Sequence, residues 1–214
     1  MLARFTKAAL VALMILALPV AAMAAAAPDK AEKVAAKMLD LDKAITTIST
    51  QLDVTLNSMN ALAEPNGDLT AKYKAFTDNT AKLDKMAAKA KSTSQTAASQ
   101  REEYLKQMQA AAAEIQNPDL KANLEKRKAE LSPKIEQIKT SLGSARDIYG
   151  PFMQDLKDLS LFLGNQLNAN GVASASTLMA KCTTDGGKMK AELASASEGV
   201  KSLAAAIQPG APAK

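Results

Sequence analysis

The sequence predicts an all-α protein, an elongated antiparallel helical bundle or coiled coil of about four long helices. Three observations carry that prediction. Aromatic residues make up 3% of the chain and Trp is absent, too little bulk for a compact α/β core, while Ala, Lys, Leu, Ser and Thr dominate, as they do in long helices. Apolar residues recur in steps of three and four along four successive stretches, the spacing that keeps one helix face apolar. Three clusters of turn-forming residues separate those stretches.

The chain opens on a targeting pattern. "MLARFTK" supplies Arg4 and Lys7, "AALVALMILAL" is an apolar run, and "PVAAMA" ends in Ala22-Met23-Ala24. A basic start, a short apolar region and a small-x-small site read as a secretory signal peptide over residues 1–24. Left uncleaved, the apolar run from Ala8 to Ala27 is long enough to serve as a membrane anchor. Pro19 and the Ala-rich end favour cleavage, and no Cys follows to take a lipid. Residues 25–207 are then expected to form one helical domain, and the Pro-rich tail "QPGAPAK", residues 208–214, to be disordered.

In the first segment Val34, Met38, Leu41, Ile45, Ile48, Leu52, Leu56 and Met59 form the stripe. "EPNGD" (Glu64–Asp68) ends it: Pro-Asn-Gly is turn chemistry, and Asp68 suits the N-cap of the next helix. The second segment runs from Leu69 to about Ile115. Leu69, Tyr73, Phe76 and Leu83 open it and Tyr104, Met108 and Ile115 close it, but the core positions between them fall on Ala87, Ala90, Ser94, Ala97 and Arg101. A helix so poor in apolar bulk either packs very closely on a neighbour or stays loose, and Ala90–Gln100 is the expected frayed or mobile zone. "QNPD" (Gln116–Asp119) ends this helix and starts the next.

The third segment has the most regular stripe. Leu131, Ile135, Ile138, Leu142, Ala145, Tyr149, Phe152, Leu156, Leu159 and Leu163 alternate steps of four and three, a mean of about 3.5 residues that marks a coiled-coil seam. The stripe keeps its phase through Pro133 and Gly150-Pro151, so both prolines are read as lying inside a continued helix. At about 1.5 Å per residue it would reach some 65 Å, a rod that needs partners along its length. The fourth segment carries Val172, Met179, Cys182, Met189, Leu193, Ala196, Val200, Leu203 and Ile207, with Gly186-Gly187 as a soft spot.

Between the last two segments lies "NQLNANG". Two apolar stripes must reverse there, and Asn and Gly tolerate the left-handed conformation common at helix ends. A structural elbow is the simpler reading. As a contact surface it would offer the amides of Asn165, Gln166, Asn168 and Asn170.

The run "DIYGPFMQDLKDLSLFLGNQLNANGVAS" resembles the signature region of the bacterial family known as domain of unknown function 2959. Its members pair a proline-and-aromatic run with an Asp-x-x-x-x-Leu helix and a Leu-Asn-Ala elbow. Pro151, Phe152, Asp155, Leu163, Leu167, Asn168 and Ala169 occupy the matching places. "NPDLKANLEKRKAEL" is similar to the family's Leu- and Arg-rich segment, and the likeness covers Leu69 to Ile207. The chain departs from the pattern where Gly164 and Asn165 replace Lys-His, and where Asn170 or Gly171 replaces an Arg. The resemblance implies an exported or envelope-associated helical protein, without a known reaction.

The residues offer little to catalysis. There is no His, which removes the commonest general base and transition-metal ligand, and no phosphate loop, calcium loop or Ser-His-Asp set appears. Cys182 lies on an apolar stripe, where a thiol packs like Ala or Val; as the single Cys of an exported chain it would otherwise pair between molecules. Asp155 and Asp158 share a helix face but lie beside Lys157, and read as a solvated pair. No catalytic, cofactor-binding or metal-ligating residue is therefore expected, and no cofactor. Without its leader the chain has 25 basic and 22 acidic residues, a net +3 with the signs interleaved, which gives no field to draw in nucleic acid. The basic clusters "LEKRKAEL" and "KMAAKAK" suit a wet helix face, or peripheral contact with anionic lipid or cell-wall polymer. Two functional expectations stand. One is a non-enzymatic structural or protein-interaction role in the cell envelope, with other envelope proteins or further copies of the chain as partners. The other is a periplasmic holdase chaperone with basic coiled-coil arms, which would keep the thin middle of the second helix open around a cavity, where a spacer would close it.

Overall fold

The computed structural model describes the backbone of residues 20–208 and the side chains of residues 29–208. The signal-peptide reading of residues 1–24 falls almost wholly outside the described residues, and the tail beyond Gln208 does so entirely. Four helices follow one another: α1 (Val20–Asn60), α2 (Leu69–Glu114), α3 (Pro118–Asn165) and α4 (Ala169–Ile207), with one 3-10 turn at Ala61–Ala63. No strand occurs among the described residues, so the chain is the all-α bundle its periodicity predicts.

Local chemistry sets the boundaries. Gly67 takes a left-handed φ of 96° in the Pro65-Asn66-Gly67 turn, and the Asp68 carboxylate accepts from the Thr70 amide at 2.9 Å, capping α2. Asn117 caps α3 by accepting from the Asp119 and Leu120 amides, with Pro118 in the first turn, where its missing N–H costs nothing. Pro133 and Pro151 both lie inside α3. α2 is helical from end to end, so Ala90–Gln100 is not the frayed zone its composition suggests; continuous backbone bonding keeps it helical where side-chain packing is thin.

Short connections make consecutive helices antiparallel, and α4 returns to lie beside α1, so the helices form a ring in chain order. The apolar stripes meet inside it. Met38, Leu52, Met59, Phe76, Leu83, Leu131, Phe152, Leu156, Leu159, Leu163, Met189 and Leu203 are all fully enclosed. Polar pairs fix the register outside that core. Lys190 of α4 reaches both carboxylate oxygens of Asp53 on α1, at 2.6 and 2.8 Å, and Ser141 of α3 meets Ser195 of α4 at 3.0 Å. The Arg127 guanidinium donates to the Ala206 and Ile207 carbonyls at 3.3 Å, closing the C-terminal end of α4 where a cation favours the helix dipole. At Gly186 of α4 a Cβ would meet Leu56 at 2.7 Å, so the expected soft spot is a close approach of α4 to α1. Among the described residues no helix is long and apolar enough to cross a membrane.

Candidate functional site

Of the four seams, the one between α2 and α3 is the thinnest. Near the elbow it is clamped: Tyr73 donates to the Ser160 carbonyl at 2.9 Å, and Tyr149 donates to the Asp84 carboxylate at 2.8 Å, with Lys157 Nζ 3.8 Å from the same carboxylate. Burial, and then the neighbouring Asp84 anion, push the Tyr149 phenol far above its ordinary range, so it stays a donor. Bulky α2 residues resume at Tyr104, Leu105 and Met108. Between these two closures α2 presents Ala87, Ala88, Ser94 and Ala98, while α1, α3 and α4 supply full-sized side chains such as Leu41, Ile45, Ile138, Leu142 and Leu193. Small residues on one helix facing large ones on three leave space that no rotamer fills. The result is an open groove of about 590 Å³, within the range of about 300–1,000 Å³ typical of small-molecule sites. A smaller hollow of about 410 Å³, with a more polar lining, flanks α2 on its α1 side near Lys37, Thr47 and Lys89.

Arg101 closes the groove at the end away from Tyr149. The sequence places it on the core stripe, and the structure buries it: 5% of the residue is exposed. Its one nearby carboxylate is that of Glu102, at 3.6 Å and itself facing solvent, which is beyond hydrogen-bond reach. Its Nε is enclosed with no partner. A buried guanidinium with an unpartnered Nε and its one counter-ion out in solvent calls for an explanation.

The elbow has a different character. Asn165, Gln166, Asn168 and Asn170 are all exposed, and the turn itself uses three of them. Asn165 donates to the Leu161 carbonyl at 2.8 Å, Gln166 caps α3, and Asn168 Oδ1 accepts from the Gly171 amide at 3.0 Å to cap α4. The left-handed residue expected here is absent: Gln166 has a φ of −133° and Asn168 of −149°. Gly171 is required because a Cβ there would overlap the Gln166 carbonyl oxygen.

The remaining candidates are also accounted for. Asp155 pairs across the seam with Lys181, whereas Asp158 accepts from Gln154 of its own helix at 2.8 Å, so the two carboxylates are separately engaged. Cys182 is fully buried, and burial, then the Asp155 carboxylate, push its thiol up to about 11. At pH 8 such a thiol holds roughly a hundredfold less thiolate than an ordinary one. Iodoacetamide at pH 8 is therefore expected to leave Cys182 unmodified in the native bundle and to label it fully in denaturant, read by mass spectrometry. Labelling at comparable rates in both states would show that α4 opens readily.

Sequence reasoning found Arg101 as an anomaly but missed the Asp84–Tyr149 clamp and the groove lip of Lys139 and Arg146. Their only signal is register across two helices, which needs the order of packing.

The family described as Protein of unknown function (DUF2959) matches the chain over residues 21–204, so the match includes α1, beyond the Leu69–Ile207 span of the visible resemblance. No curated protein and no solved structure matches the chain.

Proposed function

The chain belongs to the DUF2959 family, and we propose that this member is a non-enzymatic protein exported to the cell envelope that works by binding, taking an apolar guest into the α2–α3 groove. The observation that carries the reading is the open seam: the thinnest seam of the bundle holds about 590 Å³ of apolar-floored space between two closures, larger and less polar than the hollow between α1 and α2. Export rests on the basic and apolar pattern of residues 1–24. The holdase alternative draws on the same opening, because the thin middle of α2 borders a cavity. The groove has the size of a small guest, far from that of an unfolded polypeptide, so a ligand-scale binder is the better fit.

Osmotic-shock fractionation of cells making the full chain, followed by light scattering, tests location and mass. In the recovered protein, the uncharged fluorescent probe N-phenylnaphthylamine should enter the groove, and the double change Ala87→Leu with Ala98→Leu should abolish uptake. Retention in the cytoplasm, or uptake indifferent to filling, overturns the reading. Suppression of aggregation of a denatured outer-membrane protein that survives the filled groove would put the holdase first.

A further inference from the structure

We propose that the groove's guest is a single-chain anionic amphiphile, a long-chain carboxylate, whose head sits on Arg101 and whose tail lies along the floor towards Tyr149. This rests on the groove being a guest site and specifies the chemistry of the guest.

Charge comes first. Arg101 is nine-tenths buried, lines the groove, and its Nε has no partner. A planar guanidinium so placed matches a carboxylate in two-pronged fashion, and the charged head would add a close counter-charge to the distant, solvent-facing Glu102 carboxylate. The lip adds Lys91, Lys139 and Arg146, against Asp84 as the groove's one acid. That carboxylate is already engaged by Tyr149 and Lys157 at the far end. Lys139 and Arg146 have carboxylates beside them, Glu136 at 2.8 Å and Asp147 at 3.6 Å, whereas Lys91 has none among the described residues. The groove thus carries a surplus of positive charge: Arg101 buried at one end, Lys91 part-way along the wall, and its one acid already engaged at the other end.

Length comes second. From Asp84 to Arg101 the α2 wall extends about 25 Å at about 1.5 Å per residue. An acyl chain of one membrane leaflet spans about half of a hydrocarbon core roughly 30 Å thick, that is about 15 Å, and it fits between the closures with its head on Arg101. The floor of Leu41, Ile45, Leu142 and Leu193 offers such a tail apolar contact and no hydrogen bond. A polypeptide guest would bring backbone N–H and C=O groups that this floor cannot satisfy.

Displacement of N-phenylnaphthylamine from the full-length mature protein by hexadecanoate, by its methyl ester and by hexadecyltrimethylammonium tests the assignment, with every ligand below its micelle-forming concentration. The acid should displace the probe at about a tenfold to hundredfold lower concentration than the ester, the range for a hydrogen bond to a charged group, and the cation should be weakest. Arg101→Met should erase the preference for acid while leaving the ester unchanged. Circular dichroism checks that this variant folds, and the acid–ester comparison on the unaltered protein needs no variant. Equal displacement by acid and ester overturns the carboxylate while leaving the groove reading intact. Failure of the probe itself to enter overturns both. Displacement by a denatured polypeptide more effective than by the acid overturns the amphiphile in favour of a peptide client.

Discussion

Truncating Phe152 to alanine is expected to lower the stability of the bundle by about 3–5 kcal/mol, the range for deleting an enclosed aromatic ring. Phe152 has no exposed surface and lies in one core cluster with Phe76, Leu156 and Leu159, directly after a proline that already deprives α3 of a backbone bond. The cavity left behind cannot collapse easily, because the neighbouring stripe is pinned from both sides by the Tyr73–Ser160 and Asp84–Tyr149 bonds. Leu142, ten residues back on the same stripe, provides the contrast. It is half-buried on the groove floor, so Leu142→Ala removes apolar contact without opening a new void and should cost about 1 kcal/mol. Urea denaturation followed by circular dichroism measures both, as falls in midpoint at unchanged slope. Losses of equal size would mean that the groove is closed in solution and that Leu142 is as enclosed as Phe152.

That contrast also separates what the sequence makes legible from what it does not. The stripes of α1, α3 and α4 can be read residue by residue, because a seam that stays apolar over several heptads has one physical use. The internal placement of Pro133 and Pro151 follows from the same phase, and Asp68 from cap chemistry. The groove is only half legible. A run of Ala and Ser at core positions with an Arg at its end announces a packing deficit, but not which neighbour will fail to fill it. That depends on α2 settling against α1 through Ala90 and Ala97, which are buried, and leaving Ala87, Ser94 and Ala98 only half-covered on the other side. The pairings Asp53–Lys190 and Asp84–Tyr149 are illegible for a related reason: each joins residues at least 65 positions apart, and nothing local encodes that α4 returns beside α1. The elbow misleads in the opposite direction. Its amides look like a binding surface in sequence, and two of the four, Asn165 and Asn168, are used to terminate the helices that meet there.

Gly171→Val should be the most damaging single change in that elbow, lowering the unfolding free energy by about 3 kcal/mol, the upper end for inserting bulk into a packed site. The glycine is buried in the first turn of α4, and the atom that its side chain would strike is the carbonyl oxygen of Gln166. A flexible side chain could swing aside; a backbone carbonyl cannot. That same carbonyl accepts from the Asn168 amide at 2.8 Å, and Asn168 caps α4 through the Gly171 amide, so relieving the overlap breaks the turn bond and the cap together. Gly171→Ala should show most of the same loss, since the first carbon already collides. Gly187→Ala is the control, in the interior of the same helix with nothing within 4 Å of the added carbon. There the substitution should stabilise by roughly 0.5–1 kcal/mol, because alanine holds a helix better than glycine. Thermal melts of the three variants decide the matter: a Gly171→Ala melt at or above that of the parent would show that α3 and α4 meet less tightly than this geometry requires.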